Sequence, residues 1–344
     1  MRRARGLESV LLLLAGGLVT SEGAAQPAAS EDEGWNRDRA GRPVSTYSIV
    51  ARDPVSGELG VAVQSHWFSV GSVVPWAESG VGAVATQSFV EPSYGALGLE
   101  LMRTGKSAAE ALAGLVAADP SPAVRQVGMV DASGRAAVYT GEMAIPEACD
   151  RSEPGMTIQA NLMAAPTVCD AMHRAYTESD GDLAERLMSA LEAAQAEGGD
   201  IRGKQSAALL VVAAQPTGRS WKDRLYDLRI EDHPEPLVEL RRVLTVARAY
   251  RHMSEADEHW AAGEMDRARQ AYERASELLP GRAEPVFWHA VLLTSTGRLD
   301  AALPLFARAY RLQPAWRTLV PRLVGPGLLP DNAETIERIL AAGR

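Results

Sequence analysis

The C-terminal part of the chain repeats itself, with a spacing of 34 residues measured from Gly263 to Gly297. Other positions agree at the same offset: Met265 and Leu299, Ala268 and Ala302, Tyr272 and Phe306, Ala275 and Ala309, Leu278 and Leu312, Pro280 and Pro314. Small alanines let two helices approach closely, aromatic rings fill the space between units, and a proline ends each second helix. A chance amphipathic hairpin would explain helices but not the shared spacing. The region is therefore predicted to fold as two similar helical hairpins.

This period and residue pattern resemble the tetratricopeptide repeat. The resemblance implies two stacked hairpins within residues 253–312 that share a core, formed in part by Tyr272, Ala275, Phe306 and Ala309. Because two units alone leave apolar faces exposed, residues 236–250 and a helix over residues 332–340 are expected to cap the stack. We predict that residues 249–344 form an all-α tail of two repeats and a capping helix, which offers a surface to a protein partner.

The N-terminus has the order of segments found in a secretory signal peptide. A basic stretch at residues 1–5 precedes an apolar run over residues 10–19 and small residues at Gly23 and Ala25. This order predicts cleavage near Ala25 and an exported protein, periplasmic or extracellular, that spans no membrane after cleavage. A membrane anchor is the alternative, but the apolar run is shorter than the roughly 20 residues that a bilayer requires. Residues 26–44 are predicted to be a linker or pro-segment.

Composition excludes some partners. A net charge of -9 and a pI near 5.3 leave no broad basic surface, so nucleic acid is not expected to bind. The six histidines are scattered and no cofactor motif occurs, so we expect neither metal nor cofactor. Cys149 and Cys169 are the only cysteines. An oxidising compartment would allow them to pair, while two small buried side chains are the simpler interpretation.

The middle of the chain alternates strands with pairs of helices. Two β-rich runs, residues 46–51 and 59–63, flank a turn at residues 53–57 and predict a hairpin. Further strands are predicted at 81–87, 127–130, 136–140, 156–160, 207–213 and 225–230, and helices at 94–103, 107–118, 167–177 and 182–197. Ser107 and Glu110 form a capping-box pattern. This order predicts an α+β domain in which sheets pack together and helices cover them.

Seven segments of this region, taken together and in order, resemble domain-of-unknown-function family 1028. They are TYSIVARD at 46–53, GVAVQS at 60–65, VPWA at 74–77, GVGAVATQ at 80–87, QAN at 159–161, GGDIRGKQS at 198–206 and DHP at 232–234. The resemblance covers residues 45–244. It implies a four-layer αββα sandwich, because that family is grouped by fold with the N-terminal-nucleophile hydrolases, which cut amide bonds. The family's own substrate is not established, and the repeats lie outside its domain.

The chemistry of such hydrolases points to one candidate nucleophile. They place Thr, Ser or Cys at the first residue of a strand, where the free α-amine acts as the base for the side chain. Thr46 begins the first predicted strand. Signal cleavage near Ala25 leaves residues ahead of Thr46, so a second cut, between Ser45 and Thr46, is required. A cut one residue earlier would make Ser45 the nucleophile instead.

Polar residues in the other matching segments supply candidate partners for Thr46. Asn161 or Gln87 would donate to the developing oxyanion. Asp200 would orient the new amine, and Lys204 or Arg202 would lower its affinity for a proton. We therefore predict catalytic roles for Thr46, Asn161, Asp200 and Lys204, and substrate contacts for Ser65, His66, Gln87 and Arg202. Each also has a structural interpretation, as part of a polar turn, a strand end or the protein surface.

Three functions stay open on the sequence alone. The first is an exported amidohydrolase of the N-terminal-nucleophile type that acts on a small amide or peptide-like substrate, with repeats that recruit a protein partner. The second is a non-catalytic module on the same sandwich that binds a peptide or a cell-wall fragment. The third is an interaction scaffold built around the repeats, which uses only the tail. The first two differ in whether the mature chain begins at Thr46.

Overall fold

The structure, a computed structural model, describes residues 46–344, so the predicted signal peptide and linker lie outside the described residues. The strands of this part of the chain are β1 (Thr46–Arg52), β2 (Leu59–Ser65), β3 (Pro75–Glu78), β4 (Gly82–Ser88), β5 (Arg125–Asp131), β6 (Ala136–Thr140), β7 (Cys149–Glu153), β8 (Met156–Ala160), β9 (Ser206–Val212) and β10 (Arg224–Ile230). They form a six-stranded sheet in the order β10-β9-β2-β1-β8-β7 and a four-stranded sheet in the order β3-β4-β5-β6. Every strand pairing is antiparallel.

The predicted hairpin of β1 and β2 is confirmed, with Thr46 opposite Ser65 and Arg52 opposite Leu59. The turn is held by Asp53, whose Oδ1 accepts hydrogen bonds from the backbone N–H groups of Val55 and Ser56. The sequence does not predict β7, because the polar run CDRSE lacks the alternation of apolar residues that marks a half-buried strand. The hairpin places β1 in the middle of the larger sheet.

The two sheets face each other, and helices cover both outer faces. These helices are α1 (Ser93–Arg103), α2 (Ala108–Ala118), α3 (Val168–Glu178) and α4 (Leu183–Ala196). Because side chains alternate along a strand, Tyr47 and Ile49 pack against α3 and α4, whereas Val50 lies in the apolar layer between the sheets. Helices α1 and α2 pack on the smaller sheet around Met129. The capping box of Ser107 and Glu110 is confirmed at the start of α2.

Cys149 and Cys169 form a disulfide, which ties β7 to α3. The interpretation as two unpaired buried side chains is therefore wrong. Spacing alone did not reveal the pair, because β7 has to be paired with β8 before Cys149 reaches α3.

After the short helix α5 (Ser220–Asp223), one long helix, α6 (Pro236–Ala261), joins the sandwich to the tail. Its first turns pack on the sandwich through Leu237 and Leu240, and its last turns pack in the tail through Met253 and Ala256. The helix runs without a break through residues 244–249, where the sequence suggests the end of one domain and the start of the next. None of the helices in residues 46–344 combines the length and the apolar character that crossing a membrane requires.

The C-terminal region is helical, as predicted. It continues with α7 (Met265–Leu278), α8 (Ala283–Ser295), α9 (Leu299–Leu312) and α10 (Ala333–Ala341). Gly263 and Gly297 both have the left-handed backbone that ends a helix, with φ values of 79° and 76°. Residues 34 apart thus make the same turn.

The core of the tail differs from the single shared core expected from the sequence. Tyr272 and Ala275 are buried in one cluster with the end of α6, and Phe306 and Ala309 are buried in a second cluster with α8 and α10. Trp260 borders both clusters. The four predicted residues are all buried, but they lie in two neighbouring clusters.

Helices α4 and α6 are tied by an ion-pair network. The Glu185 carboxylate accepts hydrogen bonds from Arg241 and from Arg248, and Arg248 also donates to Asp182 at 2.6 Å. Burial alone would raise the pKa of Glu185, but the hydrogen bonds from Arg241 and Arg248 outweigh burial, so this pKa lies below its ordinary value of 4.5. The network therefore links folding stability to pH.

We expect acid to weaken this tie. A carboxyl whose pKa is lowered by folding stabilises the native state above its ordinary pKa, and the stabilisation disappears as pH falls through the lower, folded-state pKa. Glu185→Gln should lower the urea unfolding midpoint at neutral pH and have less effect in acid below pH 4.5. Exposed Glu178, at the end of α3, provides the control Glu178→Gln, which should leave the midpoint unchanged at both pH values. Equal pH profiles for the wild type and Glu185→Gln would contradict the account.

Candidate functional site

The layer between the two sheets is polar at the end where β1 begins. Thr46 and Ser48 share the inward face of β1 with Val50, because they alternate with Tyr47 and Ile49. Neighbouring strands add further amides and hydroxyls, all of them fully buried: Ser65 on β2, Gln87 on β4, Gln126 on β5, Gln159 on β8 and Asn161 directly after β8. Burying such groups costs free energy unless they bond to one another. We call this set of seven residues the polar layer.

Gln87 connects the two sheets within the polar layer. Its Nε2 donates to the carbonyl of Thr46 at 3.2 Å, to the carbonyl of Gln159 at 3.1 Å and to Gln126 Oε1 at 2.8 Å. Its Oε1 accepts from the hydroxyl of Ser48 at 2.6 Å. One amide from the smaller sheet therefore fixes the inward face of β1 and β8.

Thr46 lies at the centre of these contacts. Its hydroxyl donates to Ser65 Oγ at 3.2 Å. Its carbonyl accepts from the backbone N–H of Asn161 at 3.1 Å, in addition to the amide of Gln87. The structure thus brings together four of the predicted site residues: Thr46, Ser65, Gln87 and Asn161.

Asp200 and Arg202 form a second group at the end of β2. The buried Asp200 carboxylate accepts from the backbone N–H of His66 at 3.0 Å and from Arg202 Nη2 at 2.8 Å. Burial raises the pKa of the Tyr47 hydroxyl well above its ordinary value, and the negative charge of Asp200 raises it further. The charge of Asp200 therefore acts close to the start of β1. His66 joins this group through its backbone, whereas its side chain is exposed.

Lys204 lies apart from both groups. Its ammonium forms an ion pair with Glu235, and both side chains are partly exposed. The ion pair with Glu235 is the contact that the structure gives Lys204, and its predicted effect on the amine of Thr46 stays a prediction. Within residues 46–344, no group of three or more His, Cys, Asp or Glu side chains is placed to hold a metal ion.

The backbone is strained next to Gln87 and Asn161, which bind the Thr46 carbonyl through a side-chain amide and a backbone N–H, respectively. Ser88 directly follows Gln87 and has a φ of 69°, and Leu162 directly follows Asn161 and has a φ of 57°. A residue other than glycine in this left-handed region costs on the order of 1–3 kcal/mol and persists only where its surroundings hold it. Two such positions at the ends of β4 and β8 show that the placement of these amides is kept at a cost in stability.

Asn161 has hydrogen-bonding capacity that the polar layer does not use. Its Nδ2 donates to Gln126 Oε1 at 2.9 Å, while its Oδ1 is buried without a partner. A primary amide carries two N–H donors and one acceptor oxygen. Asn161 therefore keeps one donor and one acceptor for a further group. A buried acceptor left unpaired costs about 1–3 kcal/mol, which binding such a group would offset.

Sequence reasoning missed three members of the polar layer: Ser48, Gln126 and Gln159. A signal for one of them is visible on β8, where Thr157, Gln159 and Asn161 recur at every second residue between apolar neighbours. That alternation indicates a strand with one polar face and one apolar face. Ser48 alternates with Thr46 on β1 in the same way, whereas Gln126 follows Arg125 on β5 and gives no comparable signal.

Gly128 on β5 leaves room for two inward side chains of β8. A Cβ at this position would lie 2.2 Å from Gln159 Oε1 and 2.3 Å from Thr157 Oγ1. We expect Gly128→Ala to push Gln159 away from Ser48 and to lower the free energy of unfolding by about 1–3 kcal/mol.

Gly114→Ala is the matched control for this substitution. Gly114 lies in helix α2 with nothing within 4 Å of an added Cβ, so alanine should raise the free energy of unfolding by about 0.5–1 kcal/mol. Urea unfolding of both variants measures the difference. A stable Gly128→Ala protein with an unchanged midpoint would contradict the close packing of β5 on β8.

The model of a family of unknown function, DUF1028, matches residues 46–240, more than half of the 344-residue chain. The chain belongs to DUF1028. The resemblance to family 1028 found in the sequence is thereby confirmed. The DUF1028 match begins at Thr46 and includes every residue of the polar layer, whereas the helices from α7 onward lie outside it.

A solved DUF1028 structure is similar to this chain. It is the crystal structure of a Silicibacter pomeroyi protein, 28% identical, with a TM-score of 0.53 over 59% of this chain and 89% of that chain. No curated protein matches the chain. The comparisons therefore establish the family, and the activity has to be argued from the site.

Proposed function

We propose that this DUF1028 protein is an exported amide hydrolase of the N-terminal-nucleophile type, with Thr46 as its nucleophile once the Ser45–Thr46 bond is cut. The substrate is a small amide or a peptide-like molecule. One observation carries the proposal: Thr46 is the first residue of a central strand, and the polar layer holds both its hydroxyl and its carbonyl. The layering of helix, sheet, sheet and helix supports the same class of enzyme. The family match starting at Thr46 adds further support.

The cut supplies a base for the hydroxyl of Thr46. The new α-amine of Thr46 takes the hydroxyl proton while Oγ1 forms a bond to the substrate's amide carbon. The C–N bond then breaks, and the amine returns the proton to the leaving nitrogen. Water hydrolyses the ester left on Thr46, which releases the acid and restores the hydroxyl. No step requires a metal or a cofactor.

Asn161 is the residue best suited to assist these steps. Its spare N–H can donate to the oxyanion that forms when Thr46 attacks, and its unpartnered Oδ1 can accept from the new amine or from a substrate N–H. Gln87 acts as a positioning residue, because its amide is engaged with Thr46, Gln126 and Ser48. Asp200 and Arg202 hold the segment after Ser65, where we place the substrate contacts of His66.

Export is part of the proposal. The disulfide between Cys149 and Cys169 supports it, because disulfides form and persist in the periplasm and outside the cell. The tail is proposed to be a pair of tetratricopeptide repeats that binds a protein partner. The equal backbone turns at Gly263 and Gly297 support that assignment, as do the helix ends two residues before Pro280 and Pro314.

A non-catalytic binding module on the same sandwich is the second candidate, and one observation favours it. Thr46 is fully buried, so a substrate does not reach its hydroxyl in this arrangement. The hydrolase therefore requires a rearrangement that exposes the hydroxyl of Thr46.

Covalent labelling separates the two candidates. Exported protein is treated with a β-lactone, an electrophile that acylates nucleophilic hydroxyls, and is then digested and analysed by mass spectrometry. The hydrolase should carry the acyl group on Thr46, and Thr46→Ala should carry none at that position. A wild-type protein that hydrolyses amides without label on Thr46, or that takes no label, would favour another nucleophile or the binding module.

A further inference from the structure

A cavity of about 580 Å³ lies in the tail, far along the chain from the polar layer. Helices α6, α7 and α8 each contribute aromatic rings to its wall: Tyr250 and Trp260 from α6, Tyr272 from α7 and Trp288 from α8. A volume of this size is in the range of pockets that bind small molecules or single side chains. The family match ends before α7, so the cavity belongs to the part of this chain that DUF1028 does not cover.

The aromatic walls favour a cation. The faces of Trp and Tyr rings carry partial negative charge, and they attract ammonium groups most strongly when the contact is shielded from water. Trp260 and Trp288 are partly buried and Tyr272 is buried, whereas Tyr250 is 40% exposed, so the rings form a cleft that is open to solvent on one side. Aromatic-lined pockets of this kind recognise alkylated ammonium groups.

Two carboxylates of the cavity wall add negative charge. Asp257 accepts a hydrogen bond from the Tyr272 hydroxyl, and Glu284 accepts one from the Tyr250 hydroxyl. Burial and then the hydrogen bond to Asp257 raise the pKa of Tyr272 far above its ordinary value. The hydrogen bond to Glu284 raises the pKa of Tyr250, and the nearby Arg282 acts in the opposite direction. Both tyrosines therefore stay neutral donors.

No lysine or arginine is among the described residues that line the cavity. The wall thus combines aromatic rings with two negative charges, while Arg282 acts on Tyr250 from outside the lining. These carboxylates would repel an anion, and they would add no attraction for an uncharged apolar segment. The charge of the wall is complementary to an organic cation.

We propose that this cavity binds an alkylammonium group. The ligand is either a small quaternary ammonium solute or a methylated lysine side chain of a protein, and the two share the same chemistry at this site. The proposal is independent of the hydrolase chemistry at Thr46. It gives the tail a ligand class that the repeat pattern alone does not specify.

The test is calorimetric titration of the full-length protein with choline and with its neutral carbon isostere, 3,3-dimethylbutan-1-ol. We expect choline to bind at least about tenfold more tightly, because the cation–π attraction of several rings adds to the attraction of the two carboxylates. Added salt should weaken choline binding more than binding of the alcohol. Equal affinities, or no saturable binding of choline, would overturn the proposal.

Substitutions locate the binding. Trp288→Leu and Asp257→Asn should each weaken choline binding several-fold. Their matched controls are Trp221→Leu and Asp266→Asn. Trp221 is 74% exposed on α5, and Asp266 is exposed at the start of α7. Both control variants should bind choline as the wild type does. Asp257 is exposed, and asparagine can still accept from Tyr272, so this variant keeps the test valid if Trp288→Leu fails to fold. Choline affinity unchanged in Asp257→Asn would contradict the role of the carboxylate.

A final comparison identifies the source of the ligand. A short peptide that carries trimethyllysine is titrated beside choline. The same peptide with norleucine in place of trimethyllysine, which lacks the positive charge, is titrated as the control. Tighter binding of the trimethyllysine peptide than of choline supports a protein side chain as the ligand, and the reverse order supports a free solute. Binding of the norleucine peptide as tight as that of the trimethyllysine peptide would contradict recognition of the cation.

Discussion

Thr46→Ala should abolish amide hydrolysis, with a fall in kcat/KM of at least about 10⁴-fold, because alanine has no hydroxyl to form the covalent bond. The hydroxyl of Thr46 contacts Ser65, and the polar layer holds its backbone, so an alanine there removes the nucleophile and leaves the strand in place. The measurement is the initial rate on whichever member of an amide library the exported wild-type protein hydrolyses fastest.

Thr46→Ser is the matched control for this loss. Serine keeps a hydroxyl at the first residue of β1 and should retain much of the activity. Urea unfolding of the alanine variant shows whether β1 still pairs with β2. Full activity in a folded Thr46→Ala protein would rule out Thr46 as the nucleophile, and the binding module would become the better account.

Phe306→Ala should lower the free energy of unfolding by about 3–5 kcal/mol, the cost of removing a large buried ring. Phe306 is fully buried in the second cluster of the tail, edge-on to Phe287 with ring centroids 5.5 Å apart. Tyr310 stacks on the Phe306 ring with centroids 6.0 Å apart. Alanine would leave a cavity where the Phe306 ring of α9 packs on the Phe287 ring of α8.

Leu312→Ala, at the end of the same helix, is the control for Phe306→Ala. Leu312 is 39% exposed, so its truncation should cost much less than that of Phe306. Thermal and urea unfolding followed by far-ultraviolet circular dichroism measure both variants. Equal midpoints for the two would contradict the packing of α9 on α8.

The helices of the tail could be predicted from the sequence because their determinants are local. Gly263, Gly297, Pro280 and Pro314 end helices through their own backbone preferences, and the 34-residue spacing repeats those signals. The division of the core into two clusters could not be predicted, because it depends on where Trp260 and the last helix, α10, pack.

In the sandwich, strands with alternating apolar residues were predictable and the polar strand β7 was not. The disulfide could not be predicted for the same reason, since Cys149 reaches α3 only when β7 is in place. The polar layer depends on contacts between residues distant in sequence, such as the bond from Gln159 to Ser48, which spans 111 residues. No local pattern encodes such a pair.

For the site itself, family resemblance selected Thr46, Ser65, Gln87 and Asn161, which the structure brings together. It also selected Lys204, which pairs with Glu235 instead. The segment GGDIRGKQS carries three charged residues within five positions, and only a structure distinguishes the buried Asp200 from the partly exposed Lys204. Charge in a matching segment indicates a polar turn but does not determine which side chain faces the nucleophile.

The mature N-terminus of the active, exported protein tests the central claim most directly. N-terminal sequencing and intact-mass analysis are performed on the fraction that hydrolyses amides, beside the Thr46→Ala variant. The account predicts that the active chain begins at Thr46, with a free α-amine. An active chain that begins near residue 26, with the linker still joined to Thr46, would contradict the mechanism, because the amine that has to accept the hydroxyl proton would not exist.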